Sequence, residues 1–302
     1  MNKISIIGAG NVGALCAQRI ADRGYADIVL LDIVEGLAEG KGLDILESLP
    51  VSGLDTRIIG TSKYQETAAS DVVVITSGVA RKPGMTRDDL LLTNMKIVSE
   101  VTRKVLSHSL DPVIIVATNP VDAMTYLVRH ISGLSRNRVF GLSGVLDTSR
   151  LRSFIAEELN VSVEDVFACI LGQHGDAAVV IPRLTTVHAI PITRLLAGDI
   201  VDRLVERSIK GGAEIVGLLK TGSASFAPSA AIAHMVDAVV LDKKQILPCS
   251  TCLEGEYGLR DTAIGVPVKL GRDGIEQVVE LDLTDDERET LAASANVVRE
   301  MV

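Results

Sequence analysis

Through the first half of the chain, short runs of β-branched and aliphatic residues alternate with longer stretches whose apolar positions recur at helical spacing. The runs "KISIIG" (3–8), "DIVLLD" (27–32), "TRII" (56–59), "DVVVIT" (71–76), "PVIIVAT" (112–118) and "RVFGL" (138–142) predict strands. A strand with one solvated face alternates apolar and polar side chains. These are apolar almost throughout, so helices must cover both faces of their sheet. Residues 11–24, 88–107 and 120–131 carry the helical period. The rhythm predicts an α/β fold whose first domain is a doubly wound parallel sheet of six strands.

After about residue 145 the rhythm changes. Helix-like segments (146–159, 199–219, 225–239) are followed by "QILPCSTCL", "GVPVKLG" and "IEQVVEL", which read as strands of a separate antiparallel sheet. A last helix starts near Thr284, where Thr284 and Glu287 have capping-box spacing. The expected division is residues 1–144 and a mixed α+β domain over 145–302, with no low-complexity linker between them. The cleft at such a packed junction is where a small ligand binds.

Composition narrows the classes. The 302 residues are 47% hydrophobic with no tryptophan and carry a net charge of −9, which argues against a nucleic-acid or membrane-surface binder. No apolar run approaches the ~18 residues of a membrane span, so a cytoplasmic protein is expected. Cys249 and Cys252 form a CxxC without a second pair to complete a metal cage. They read as buried bystanders, and no metal site is expected. Four thiols in a chain this long suit a reducing compartment.

Candidate chemistry begins with "IIGAGNVG". Gly8, Gly10 and Gly13 form GxGxxG after one predicted strand and before a predicted helix, with Asn11 and Val12 between the last two. The glycines allow a tight turn, close approach of a pyrophosphate, and close helix–strand packing. The second strand ends in Asp32, 19 residues past Gly13, an acid suited to a ribose diol. Ile33 stands where a 2′-phosphate would need a cation, so NAD is expected rather than NADP. Asn119 of "ATNPVD" lies at the carboxyl end of a strand. It is counted with Asn94 in the cofactor set, although Asn-Pro is also ordinary turn punctuation. In "LSGVLDTSRLRSF", Asp147 and Arg150 share a helix face, a spacing that equally fits a surface ion pair. In "LGQHGDAAVVIP", His174 is flanked by Gln173 and Gly175 in a segment shaped to present a side chain. With Asp147 it makes a candidate acid–base pair.

In this order and at these approximate spacings, "GAGNVG", Asp32, "RKPGMTR", "TNPVD", "LDTSRLR" and "GQHGD" resemble the NAD-dependent lactate and malate dehydrogenases from end to end. The resemblance implies a Rossmann domain followed by a substrate domain, and roles at matching positions. His174 is then the proton donor and acceptor and Asp147 its carboxylate partner. Arg150 clamps the C1 carboxylate of the substrate, Arg87 polarises the reacting carbonyl, and Asn119 hydrogen-bonds in the nicotinamide–substrate region. The segment 78–91 corresponds to a loop that closes over the substrate. Arg81 occupies the position where lactate enzymes carry glutamine and malate enzymes carry arginine. A desolvated second carboxylate needs a cation there, so malate and oxaloacetate are the expected small-molecule substrates. Gln173 departs from the family, where glycine or glutamate is common. The family also implies a homo-oligomer, a dimer or a tetramer. Rival readings are a dehydrogenase of another 2-hydroxy acid, an NAD-dependent glycosidase and a non-enzymatic NAD sensor.

Overall fold

The computed structural model describes residues 2–80 and 84–302. Strands β1 (Asn2–Ile7), β2 (Ala26–Leu31), β3 (Ile58–Thr61), β4 (Val72–Ile75), β5 (Val113–Val116) and β6 (Val139–Gly141) are all parallel and lie in the order β3-β2-β1-β4-β5-β6. Every residue of β4 and β5 is buried. That burial explains why their sequences show no alternation. Helices α1 (Asn11–Ala21), α2 (Leu37–Ser48), α3 (Arg87–Leu106) and α4 (Val121–Ser132) connect these strands and cover the sheet. Strand order reverses between β1 and β4, and the crevice beyond their carboxyl ends is where such sheets take ligands. The expected doubly wound sheet is the observed one.

Helix α2 was not foreseen, because Gly40 and Gly42 blur its apolar stripe. Gly42 instead lets the helix lie directly on β3: a Cβ there would approach the Gly60 main chain at 2.6 Å.

The second half starts with α5 (Gly144–Leu159), three residues beyond the end of β6. Then come β7 (Val166–Phe167), β8 (Ile170–Gly172), β9 (Ala178–Val180), β10 (Thr186–Val187) and β11 (Ile190–Pro191). Short α6 (Ile192–Leu195) precedes the long helices α7 (Gly198–Leu219) and α8 (Phe226–Val240). The chain closes with β12 (Gln245–Glu254), β13 (Arg260–Gly271), β14 (Gly274–Val278) and α9 (Asp285–Arg299), the last entered through the expected Thr284–Glu287 capping box.

One expectation is corrected here. The antiparallel strands are not a separate sheet. Ser250 of β12 pairs with Gly141 of β6, and Gly265 of β13 pairs with Gly172 of β8. One sheet therefore continues from β3 to β9. The reason is apolar surface: the hydrophobic core runs unbroken from Ile4 to Val298, so splitting the sheet at β6 would expose its edge. Among the described residues, β7, β10 and β11 alone form a sheet of their own, over a small core that includes Leu151, Val166 and Leu204. Cys249 and Cys252 are free and buried on β12, and burial pushes both thiols well above their ordinary range. Among the described residues no helix is long and apolar enough to cross a membrane.

The packing of α2 on β3 yields a paired test. A Cβ on Gly60 would collide with the Ala38 carbonyl, whereas one on the exposed helical Gly40 meets nothing within 4 Å. Gly60→Ala should lower stability by about 1–3 kcal/mol. Gly40→Ala should raise it by about 0.5–1 kcal/mol. Thermal unfolding of the two variants beside the parent checks both signs.

Candidate active site

Two elements meet at the carboxyl end of the sheet. The β1–α1 turn follows β1 directly. Gly10 is the N-cap of α1, exposed and with no atom near its missing side chain, so the unsatisfied N–H groups of the first turn (Asn11, Val12, Gly13) face an open surface. A Cβ on Gly13 would collide with the Gly8 carbonyl oxygen, which is the close strand–helix contact the motif demands. Asp32, just past β2, closes the turn from the side. Its Oδ2 accepts the Ala9 N–H at 2.7 Å and its Oδ1 accepts the Val34 N–H at 3.0 Å. Each oxygen keeps a lone pair for a diol. The Lys41 ammonium donates to the Ala9 carbonyl at 2.7 Å, a clamp that sequence reasoning missed. An open helix N-terminus, a close-packed glycine turn and a carboxylate at its edge fit a dinucleotide.

Asn94 is held by backbone groups of the site loops. It is 1% exposed on α3, and its amide is engaged by the Val79 N–H (2.9 Å), the Val79 carbonyl (3.2 Å) and the Asn119 carbonyl (2.7 Å). A side chain so enclosed ties two loops of the site together. Asn119, exposed at the end of the β5 segment, is the residue that this clip positions.

The second element is the His174 loop between β8 and β9. Asp147 and Arg150 lie in the opening turns of α5, on the face that meets this loop. Asp147 Oδ2 lies 2.7 Å from His174 Nδ1, and Asp147 Oδ1 lies 3.2 Å from Arg150 Nη1. The bridge from Asp147 to Arg150 is therefore a buried pair, not a surface one, with side chains 10% and 13% exposed. A carboxylate only accepts, so Nδ1 carries the proton and Nε2 is left free. The stem of Arg150 passes against Gly211 of α7. Its buried Nε has no partner among the described residues, an orphan donor that a bound carboxylate would satisfy.

Burial alone would lower the affinity of the imidazole for its proton. The Asp147 charge and hydrogen bond, with help from Asp122, outweigh burial and the Arg150 charge, so the His174 pKa is raised. Linkage follows with a definite sign. The contribution of this pair to stability is complete below the unfolded value of about 6.5 and is lost as pH rises through the folded one.

The loop itself is braced from three sides. The Gln173 amide donates to the His174 carbonyl at 2.9 Å and accepts from the Ala177 N–H at 3.2 Å. Ser294 of α9 accepts from the Gln173 N–H at 2.8 Å and donates to the Ala177 carbonyl at 2.7 Å. Asp122 of α4 accepts the His174 N–H at 2.7 Å. Arg87 opens α3 behind a Thr86–Asp89 capping box, and its guanidinium pairs with Asp176 at 3.0 Å with both side chains largely exposed. Arg87 thus stands beside the histidine loop, on a pair that solvent screens and that costs little to break. Arg81 lies outside the described residues.

With that geometry in view, the comparisons with known proteins are specific. The lactate/malate dehydrogenase NAD-binding domain matches residues 2–141, and the alpha/beta C-terminal domain of the same enzymes matches residues 144–302. The chain belongs to the lactate/malate dehydrogenase family. Within this family, the malate dehydrogenase of Chloroherpeton thalassium is 54% identical over 299 residues, covering 99% of this chain and 96% of the relative. The solved malate dehydrogenase of Salinibacter ruber superposes with a TM-score of 0.95 at 49% identity, covering 99% of this chain and 96% of that one. A Cryptosporidium parvum lactate dehydrogenase, solved with lactic acid and NAD, superposes equally well, with a TM-score of 0.96 at 37% identity and coverage of 99% and 96%. Backbone shape therefore does not separate the two substrates within the family.

Proposed function

We propose that this chain is an NAD-dependent malate dehydrogenase, with residues 1–144 holding the dinucleotide and 145–302 supplying His174, Asp147 and Arg150 to the substrate site. The observation that carries the chemistry is the Asp147–His174 pair with Arg150 beside it. The choice of malate rests on Arg81 in the "RKPGMTR" segment and on the malate dehydrogenases that share about half of this sequence.

NAD, bound along the β1–α1 turn, supplies the hydride acceptor. The remaining work belongs to side chains. The free Nε2 of His174 takes the proton of the C2 hydroxyl of malate, and Asp147 stabilises the imidazolium that results. In oxaloacetate reduction the same imidazolium returns that proton. Arg150 presents its unpaired Nε and an adjacent N–H to the C1 carboxylate, a fork that lysine cannot reproduce. Arg87 leaves Asp176 to face the C2 oxygen, Asn119 orients the reacting end, and Arg81 neutralises the distal carboxylate. Closure of the 78–91 segment dries the site and strengthens each of these interactions.

The chain is further proposed to work in the cytoplasm as a homo-oligomer, a dimer or a tetramer. Its four free cysteines suit a reducing compartment, and Leu218 and Phe226, 76% and 71% exposed, leave apolar surface to cover.

Two substitutions test the assignment. Arg81→Gln should lower kcat/KM for oxaloacetate by roughly two to three decades, the loss expected when a desolvated charge is left unpaired. It should leave pyruvate reduction equal or better; an unchanged ratio of the two substrates would remove Arg81 from the specificity argument. His174→Asn should cut kcat by about a thousandfold while NADH still binds, read by rates and by NADH fluorescence. Retained turnover would contradict the role of the histidine.

A further inference from the structure

A second carboxylate lies behind the histidine, and the proton-transfer scheme does not use it. Asp122, in the first turn of α4, is 2% exposed. Its Oδ2 accepts the His174 main-chain N–H at 2.7 Å, and its Oδ1 accepts the Ser250 hydroxyl at 2.6 Å. Ser250 is fully buried on β12, at the residue that pairs with β6. Asp122 therefore joins three parts of the site: the helix that follows Asn119, the histidine loop, and the strand pair that welds the two halves together.

An amide would meet the same structural needs. Asparagine at this position can accept the His174 N–H through its oxygen and donate to Ser250, whose hydroxyl can turn to accept. A buried carboxylate without a cationic partner in contact is costly. Burial, with the neighbouring Asp147 charge, pushes the Asp122 carboxyl up to about 6 even though the Ser250 bond, the His174 N–H and the imidazole charge pull it down. Asparagine would therefore keep these bonds and remove only the charge. Among the described residues, the charges acting on His174 are Asp147 and Arg150 from α5 and Asp122 from α4, with the exposed Asp176–Arg87 pair further along its loop and neutral contacts from Gln173 and Ser294. Asp147 contributes most of the negative field at the ring, Asp122 adds to it through space, and the Arg150 charge, the smallest of the three, opposes both.

We propose that Asp122 is a positioning residue for the proton-transfer histidine, anchoring its main chain and supplying, through space, negative charge that adds to that of Asp147 in keeping the imidazole basic. The proposal rests on the reading of His174 as the proton donor and acceptor. It concerns a residue almost wholly buried behind the histidine.

The test is kcat/KM against pH, in both directions, for Asp122→Asn and Ser250→Ala beside the parent, with NADH affinity from fluorescence. In Asp122→Asn the alkaline limb of oxaloacetate reduction and the acid limb of malate oxidation should both move to lower pH, by about half to one unit. Malate oxidation below pH 7 then gains relative to its plateau, while oxaloacetate reduction at pH 8 falls about threefold to tenfold. NADH affinity should stay within about twofold. Ser250→Ala removes one bond that favours the ionised carboxyl, so its limbs should move the same way by less. Unmoved limbs in Asp122→Asn, whatever happens to kcat, overturn the proposal. If that variant does not fold, unmoved limbs in Ser250→Ala do so. Turnover in His174→Asn would instead sink the reading beneath it, and the two failures are distinguishable because that variant leaves Asp122 intact.

Discussion

The hydrogen bond between Asp147 Oδ2 and His174 Nδ1, 2.7 Å long, is the constraint to which the rest of the site answers. It decides which ring nitrogen carries the proton, which way the other nitrogen faces, and how tightly the ring holds a second proton. It also joins parts of the chain that are separate in sequence and in secondary structure. Asp147 rides on α5, which leaves the parallel part of the sheet just past β6. His174 sits on the turn after β8, in the antiparallel part. The bond is made only if both parts share one frame, and the pairing of β12 to β6 and of β13 to β8 provides that frame.

The surroundings hold the pair rigid. Ser294 grips both ends of the histidine turn from α9, Gln173 spans it, and Asp122 holds its main chain from α4. Arg150 reaches Asp147 from one turn further along α5 through Nη1, with its buried Nε unpaired among the described residues. By contrast, Arg87 and Asp176 meet in solvent. The histidine pair is buried and cross-linked, whereas Arg87, the arginine proposed to reach the substrate, is on a pair that water has already weakened. Such a division suits an enzyme whose chemistry waits for a loop to close.

Much of this was legible in the sequence, for reasons that differ by residue. The strands β1 to β6 announced themselves because burial on both faces forces continuous apolar runs. The glycine turn and Asp32 were legible because their chemistry is local, a strand, a turn and an acid at fixed spacing. Asp147, Arg150 and His174 needed the ordered set of motifs, since each alone has a plainer reading. The misses share a physical cause. Helix α2 was hidden by Gly40 and Gly42, the second serving close packing rather than helix propensity. The antiparallel strands looked like a separate sheet because a single bridging pair, Ser250 with Gly141, leaves no periodic trace. Asp122 lay within a motif already singled out for Asn119, and Ser250 within one read for its cysteines. Ser294 offered no local signal, because its partners lie more than a hundred residues away.

The proposed nucleotide and substrate ends of the site are thus built by different means, backbone and one acid at the first, a buried network of charges at the second. The claim on which they converge is that Asp147 holds the His174 imidazole with Nδ1 protonated and with a raised affinity for its second proton. Nitrogen NMR of the ¹⁵N-histidine-labelled enzyme across pH, with the His174 signals assigned by their loss in a substituted variant, measures both properties at once. The account predicts a neutral form that keeps its proton on Nδ1 and a titration above the ordinary value of about 6.5. A neutral form protonated on Nε2, or a titration at or below that value, would contradict it.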